Sequence, residues 1–155
     1  MLLAALPAAA YDVNGVALGA NESAVKKRFP SIHCKELEWK SLAAERRCDD
    51  SKVAFAGAEV RITFYLKKNA VQAFDLRFDP KDTDRVAAFV KSRYGTPVSE
   101  TRDTIETPGK PARQIYKVLW EKDGERAVLV AQPDKRRGTL SVSRGNFDEE
   151  IYRVR

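Results

Sequence analysis

Apolar residues recur at every second position over two neighbouring stretches. Val60, Ile62, Phe64 and Leu66 alternate with Arg61, Thr63 and Tyr65. After a turn at Lys67 to Ala70, Phe74, Leu76 and Phe78 resume the alternation. A period of two belongs to a strand with one buried face. Further on, Tyr116, Val118 and Trp120 alternate with Ile115, Lys117 and Leu119. Asp123-Gly124 is a two-residue hairpin signal, Arg126 to Ala131 is the return strand, and Thr139 to Ser143 adds a short one. Residues 31–39 and 98–106 are weaker strand candidates.

Two segments follow the helical period instead. Asn21 can cap a helix that carries Val25 and Phe29 on one face, ends in Lys26-Lys27-Arg28 and stops at Pro30. Asp79 and Pro80 open the second, whose stripe is Val86, Phe89, Val90 and Tyr94 and whose end is marked by Gly95 and Pro97. The two endings align at an offset of 65: Val25 to Pro30 falls on Val90 to Gly95. The same ungapped offset lays Lys52 to Phe55 on Lys117 to Trp120 and Arg61 to Phe64 on Arg126 to Leu129. Helix falls on helix and strand on strand, as a tandem repeat requires.

These patterns predict an α+β fold of two similar halves, about 11–78 and 79–143, with a tail at 144–155. Each half is a helix plus about four antiparallel strands, with the helices on one face of the sheet. The expected core includes Leu18, Val25, Phe29, Ile62, Phe64, Leu76, Phe89, Tyr94, Val118 and Trp120. In the tail, Phe147 and Ile151 stand four apart and suit either a docking helical turn or an edge strand.

Residues 1–10, MLLAALPAAA, do not fit that pattern. An apolar run ending in small residues suggests the tail of a signal peptide, with the mature chain beginning at Tyr11. No Cys follows the small residues, which argues against a lipid anchor at that site. Export also suits the two cysteines, Cys34 and Cys48: an even count in an exported chain predicts a bridge. Periplasmic or secreted is the expected location.

The glycines and helix near the start carry a resemblance. Gly15-Val16-Ala17-Leu18-Gly19, followed by a helix with Val25 and the ending Phe29-Pro30, resembles the opening of small periplasmic proteins of the SmpA/BamE-like and β-lactamase-inhibitor-like group. The resemblance implies an envelope location, tandem copies, a disulfide within the strands, and non-enzymatic protein binding through an exposed sheet face.

Catalytic signatures are missing. There is no Gly-rich phosphate loop, G-x-S-x-G, H-E-x-x-H or C-x-x-C. His33 is the one histidine, too few for a metal set and without a second base for nucleophilic catalysis. Asp49-Asp50 and Glu149-Glu150 are sequence neighbours that point apart. No cofactor, metal or catalytic residue is expected.

Charge points instead to binding. Lys and Arg number 28 against 22 Asp and Glu, a net +6, which favours acidic partners. Lys26-Lys27-Arg28, Arg46-Arg47 and Lys135-Arg136-Arg137, with Lys67-Lys68, could line one edge and meet an anion or an acidic partner. Trp39 and Tyr65 are candidate aromatic contacts. Export makes nucleic acid an unsuitable target. The sequence therefore reads as an exported non-enzymatic binding protein for a protein or anionic envelope component. An inhibitor of an exported enzyme and a cryptic hydrolase are the alternatives.

Overall fold

A computed structural model describes residues 11–154. The expected signal-peptide remnant at 1–10 lies outside the described residues. The architecture is α+β, with one eight-stranded antiparallel sheet and three short α-helices.

The chain opens with a small hairpin, β1 (Asp12–Val13) and β2 (Val16–Ala17). Helix α1 (Glu22–Arg28) follows as its capping signal predicts: the Asn21 side chain accepts from the Ala24 amide at 2.8 Å. Four strands come next: β3 (His33–Glu36), β4 (Arg46–Phe55), β5 (Ala58–Lys67) and β6 (Ala70–Phe78). Asp79 then caps a 3₁₀ turn, Pro80–Asp82, by accepting from the Lys81 amide, and the turn leads into α2 (Thr83–Tyr94). Four more strands follow: β7 (Ser99–Ile105), β8 (Arg113–Lys122), β9 (Glu125–Gln132) and β10 (Arg137–Arg144). Helix α3 (Phe147–Glu150) closes the described chain.

Strand order is β3-β4-β5-β6-β10-β9-β8-β7, so β6 and β10 meet at the centre while β3 and β7 form the edges. Tight turns join the hairpins. Lys68-Asn69 and Asp123-Gly124 both adopt positive φ at their two central residues, which matches the right-handed strand twist. The edge β7 carries Glu100, Arg102 and Asp103 and is exposed throughout, the charged kind of edge that resists sheet-to-sheet association.

Alternation sorts the sheet into two faces. Ile62, Phe64, Leu76, Val118, Trp120, Leu129 and Leu140 bury themselves in one large cluster. Val25 and Phe29 of α1 and Val86, Ala87 and Val90 of α2 belong to the same cluster. This is termed the inner face. A smaller cluster lies on the other, outer face: Ala73 of β6, Ala43 and Ala44 from the β3–β4 loop, and Phe147 and Ile151 of the tail. The tail is thus a docking helical turn and not an edge strand.

One expected core residue is misplaced. Phe89 is 37% exposed. Val86 and Val90 are the fully buried residues of α2, so Phe89 sits on the flank of that stripe and meets Phe55 edge-on at 5.1 Å. Leu18 and Tyr94 are partly buried at the margin. At the centre, a methyl group added to Gly138 would overlap the Phe78 ring on the neighbouring strand, so this position has room for hydrogen alone.

Candidate functional site

The outer face is divided by the strand registers. One row across it reads Thr63, Asp75, Ser141, Val128, Leu119, from β5 through β6, β10 and β9 to β8. The next row reads Arg61, Arg77, Thr139, Val130, Lys117. The half built on β4, β5 and β6 is therefore charged. The half built on β8 and β9 carries half-buried Val128, Val130, Leu119 and Ile115.

The charged half holds a cleft of about 370 Å³ lined by Arg47, Asp49, Arg61, Tyr65, Asp75 and Arg77, among others. On one side Arg47 grips Asp49 with two 2.8 Å hydrogen bonds, and the Thr63 hydroxyl donates to Asp49 at 2.6 Å. Burial opposes ionisation of Asp49. The Arg47 and Thr63 bonds outweigh it and hold the carboxyl below its ordinary range. The Arg47 guanidinium also lies 5.8 Å from the centre of the Tyr65 ring. Deeper in, burial, reinforced by the Asp148 charge, pushes the Asp75 carboxyl above its usual range, against a hydrogen bond from Ser141 and the charges of Arg77 and Arg47.

That raised carboxyl has a measurable consequence. A carboxyl that ionises less readily when folded destabilises the fold at any pH above both its unfolded and its folded titration ranges. Asp75→Asn should therefore raise the melting temperature at pH 7. The gain should vanish at pH 3, where both states of the wild type are protonated at this site. A lower melting temperature at pH 7 would show that the Asp75 charge is needed by its arginine neighbours.

A second cleft, about 500 Å³, adjoins the first at Ser51, Arg61 and Arg77 and reaches the β9–β10 turn. Lys135, Arg136 and Arg137 line its far side. The turn is a 3₁₀ element, Pro133–Lys135, closed by Arg136 in the left-handed conformation.

The expected basic clusters are not brought to one edge. Lys135 to Arg137 lie level with Phe78, whereas Arg46 lies level with Val71 and Lys67-Lys68 with Ala70 and the turn beyond it, at the opposite end of the sheet. Eight residue steps of strand separate Ala70 from Phe78, roughly 26 Å. Most of the remaining cations are tied into the fold. Lys26 and Arg46 both pair with Glu22, at 3.2 and 2.6 Å. The Arg28 side chain donates to the Asn14 carbonyl. Lys27 is an exposed residue of α1, among the described residues without an ion pair.

Trp39 and Tyr65 are likewise engaged internally. The Trp39 indole donates to the Ile151 carbonyl at 2.9 Å, and its ring stacks on Tyr152. The Tyr65 ring meets Phe147 at 5.4 Å. Both rings hold the tail against the outer face. Tyr152, 78% exposed, is the aromatic left outermost there, and nothing in the tail sequence marks it.

Cys34 and Cys48 form the expected disulfide, in register across β3 and β4. Glu22 and these two sulfurs are the metal-sized grouping among the described residues, and the bridge removes both thiolates from it. His33 stands opposite Asp49 in register. The two make no hydrogen bond among the described residues, and Asp49 is held by Arg47 and Thr63. No helix among the described residues is long and apolar enough to cross a membrane.

Arg61, Arg77 and Asp75 were not among the sequence-derived candidates. The only signal for them was their polar place in alternating strands. No protein family, curated protein or solved structure matches the chain.

Proposed function

We propose that this is an exported, non-enzymatic binding protein that recognises a partner through the outer face of its sheet. The observation that carries this reading is the two-part composition of that face. A half-buried apolar strip, Ile115, Leu119, Val128 and Val130, lies beside a charged half with two open clefts. An apolar patch rimmed by charge is the usual makeup of a protein-binding surface. Disulfide bridging supports an oxidising, extracytoplasmic location, periplasmic or secreted.

The element order supports a tandem origin and the resemblance to the SmpA/BamE-like and β-lactamase-inhibitor-like group. A helix and four strands come twice in succession, and the offset of 65 carries 46–55 onto 111–120, against β8 at Arg113–Lys122. In this reading α1 and α2 cover the inner face and leave the outer face for the partner. Inhibition of an exported enzyme is one form such binding would take. Hydrolysis is disfavoured because, among the described residues, the one histidine has no acid bonded to it.

The test is capture from an envelope extract with residues 11–155 as bait, at low and at high salt. One protein retained at both salts, lost with Val128→Glu and kept with Lys27→Glu on α1, is the expected result. Equal retention by Val128→Glu and the wild type would overturn the assignment to the outer face.

A further inference from the structure

Arg61 and Arg77 are direct cross-strand partners: the register of β5 and β6 sets their Cα positions opposite each other. Both side chains lie on the outer face, where the residue beyond Arg77 in the same row is Thr139. Like charges directly opposite on a sheet are destabilising. Among the described residues no carboxylate is bonded to either guanidinium. Asp75, the nearest on β6, is hydrogen-bonded to Ser141 and makes no ion pair with Arg77 among the described residues.

The surroundings add cations. The 500 Å³ cleft over this pair is lined by Arg61, Arg77, Lys135, Arg136 and Arg137, five cationic side chains against the carboxylates Glu59 and Asp79. Asp79 accepts from the Lys81 amide and keeps its charge, so the cleft holds five cations against two carboxylates. Among the described residues, the five cations make no ion pair or hydrogen bond through their side chains. Elsewhere Arg46, Arg47, Lys91, Arg93 and Arg126 have carboxylate partners, while single cations such as Lys27, Lys52 and Lys117 have none among the described residues. Five cations without a carboxylate partner among the described residues thus line one cleft, and two elements of fixed geometry deliver them. The β5–β6 ladder sets the two guanidinia side by side, and the β9–β10 turn brings three more cations level with them.

We propose that this cleft binds a phosphate group carrying two or more negative charges, in a phosphomonoester or a pyrophosphate, with Arg61 and Arg77 as paired forks on its oxygens. Guanidinium is suited to this because its planar donors match phosphate geometry two at a time. Thr139 supplies a hydroxyl in the same row, and the turn cations complete the charge. The proposal rests on the outer face being the binding surface. It names the chemistry taken there, an anion at the end of the face away from the docked tail.

Such a site has a signature that a merely basic surface lacks. Removing one of two opposed arginines relieves repulsion in the empty protein and removes a fork from the loaded one. The two effects therefore have opposite signs. The probes are sodium pyrophosphate, with sodium chloride at matched ionic strength as control, and vesicles containing phosphatidic acid, a phosphomonoester lipid. The expected results are a saturable rise in melting temperature with pyrophosphate and none with chloride. Arg61→Gln should melt higher than the wild type without ligand. Arg77→Gln also loses its attraction to Asp75 and is read on binding alone. Each should bind pyrophosphate at least tenfold more weakly. Co-sedimentation with phosphatidic acid vesicles without a pyrophosphate response would assign the phosphate to a lipid headgroup. A pyrophosphate response without vesicle binding would assign it to a soluble compound. Either supports the site.

Equal pyrophosphate affinity in wild type and both variants, or no response to either probe, would overturn it. So would a loss of stability in unliganded Arg61→Gln. Failure of this site leaves the broader reading distinguishable, because capture sensitive to Val128→Glu depends on the apolar strip and not on Arg61 or Arg77.

Discussion

Replacing Trp120 with alanine is expected to cost about 3–5 kcal/mol, the range for truncating a large buried aromatic. Trp120 is 1% exposed and is the largest of the fully buried side chains. Three independent contacts depend on it. It fills the inner cluster among Val118, Leu129 and the helix side chains. It meets Tyr94 of α2 edge to face at 5.9 Å, a geometry that aromatic pairs favour. Its indole N–H donates to the Gly95 carbonyl at 2.9 Å, fixing the point at which α2 ends. Truncation would leave a cavity between α2 and β8 and strip that carbonyl of its partner. Trp120→Phe separates the contributions: it keeps most of the apolar volume and loses the hydrogen bond, so about 1–2 kcal/mol is expected. Urea denaturation followed by circular dichroism measures both. An alanine variant within 1 kcal/mol of wild type would mean that α2 is not held through this residue.

The second large effect is expected at the disulfide. Cys34→Ser with Cys48→Ser should lower stability by about 3 kcal/mol, the chain-entropy figure for a loop of this length. The bridge joins cysteines 14 positions apart and pins the short edge strand β3 to β4. Its loop also carries Ala43 and Ala44 of the outer cluster, with Leu37 and Trp39 packed against it. Loss of the bridge should therefore loosen the outer cluster before the inner one. The check is fluorescence: Trp120 is deep in the inner cluster and Trp39 lies in the loop, so the double variant should show a red shift that a Trp39→Phe background abolishes. An unchanged melting temperature and an unchanged spectrum would mean that the strand pairing alone holds β3 and its loop.

Much of the architecture was legible because two periods rarely imitate each other. Alternation at Val60 to Leu66 and at Tyr116 to Trp120 left no choice but strand, and Asn21, Asp79, Pro80 and Gly95 punctuate the helices as their backbone preferences demand. The short edges β3 and β7 were faint because an edge exposed on both sides has no apolar face to write into the sequence. Phe89 was misjudged because a stripe marks which residues face inward and not how wide the covered zone is. Basic residues were legible as clusters but not as neighbours. Their separation depends on which end of a strand each turn occupies, and that depends on strand order.

The hairpin of β5 and β6 shows where the division falls. The Lys68-Asn69 turn pairs Lys67 with Ala70 and Leu66 with Val71. A regular ladder continued from there would set Arg61 opposite Leu76 and turn one strand's apolar side chains to the wrong face. The alternation in the two strands already demands a correction, since Ile62, Phe64, Phe74 and Leu76 must all face inward. What the pattern could not specify was its place. The structure puts the irregularity between Tyr65 and Leu66, where Gln72 is left unpaired, and the register beyond it joins Arg61 to Arg77. By itself the sequence determined which side chains turn inward, because burying apolar area has only one acceptable parity. Only the tertiary structure decided which charges meet on the other side, because a bulge, a turn and the meeting of β6 with β10 are set by the packing of the whole sheet.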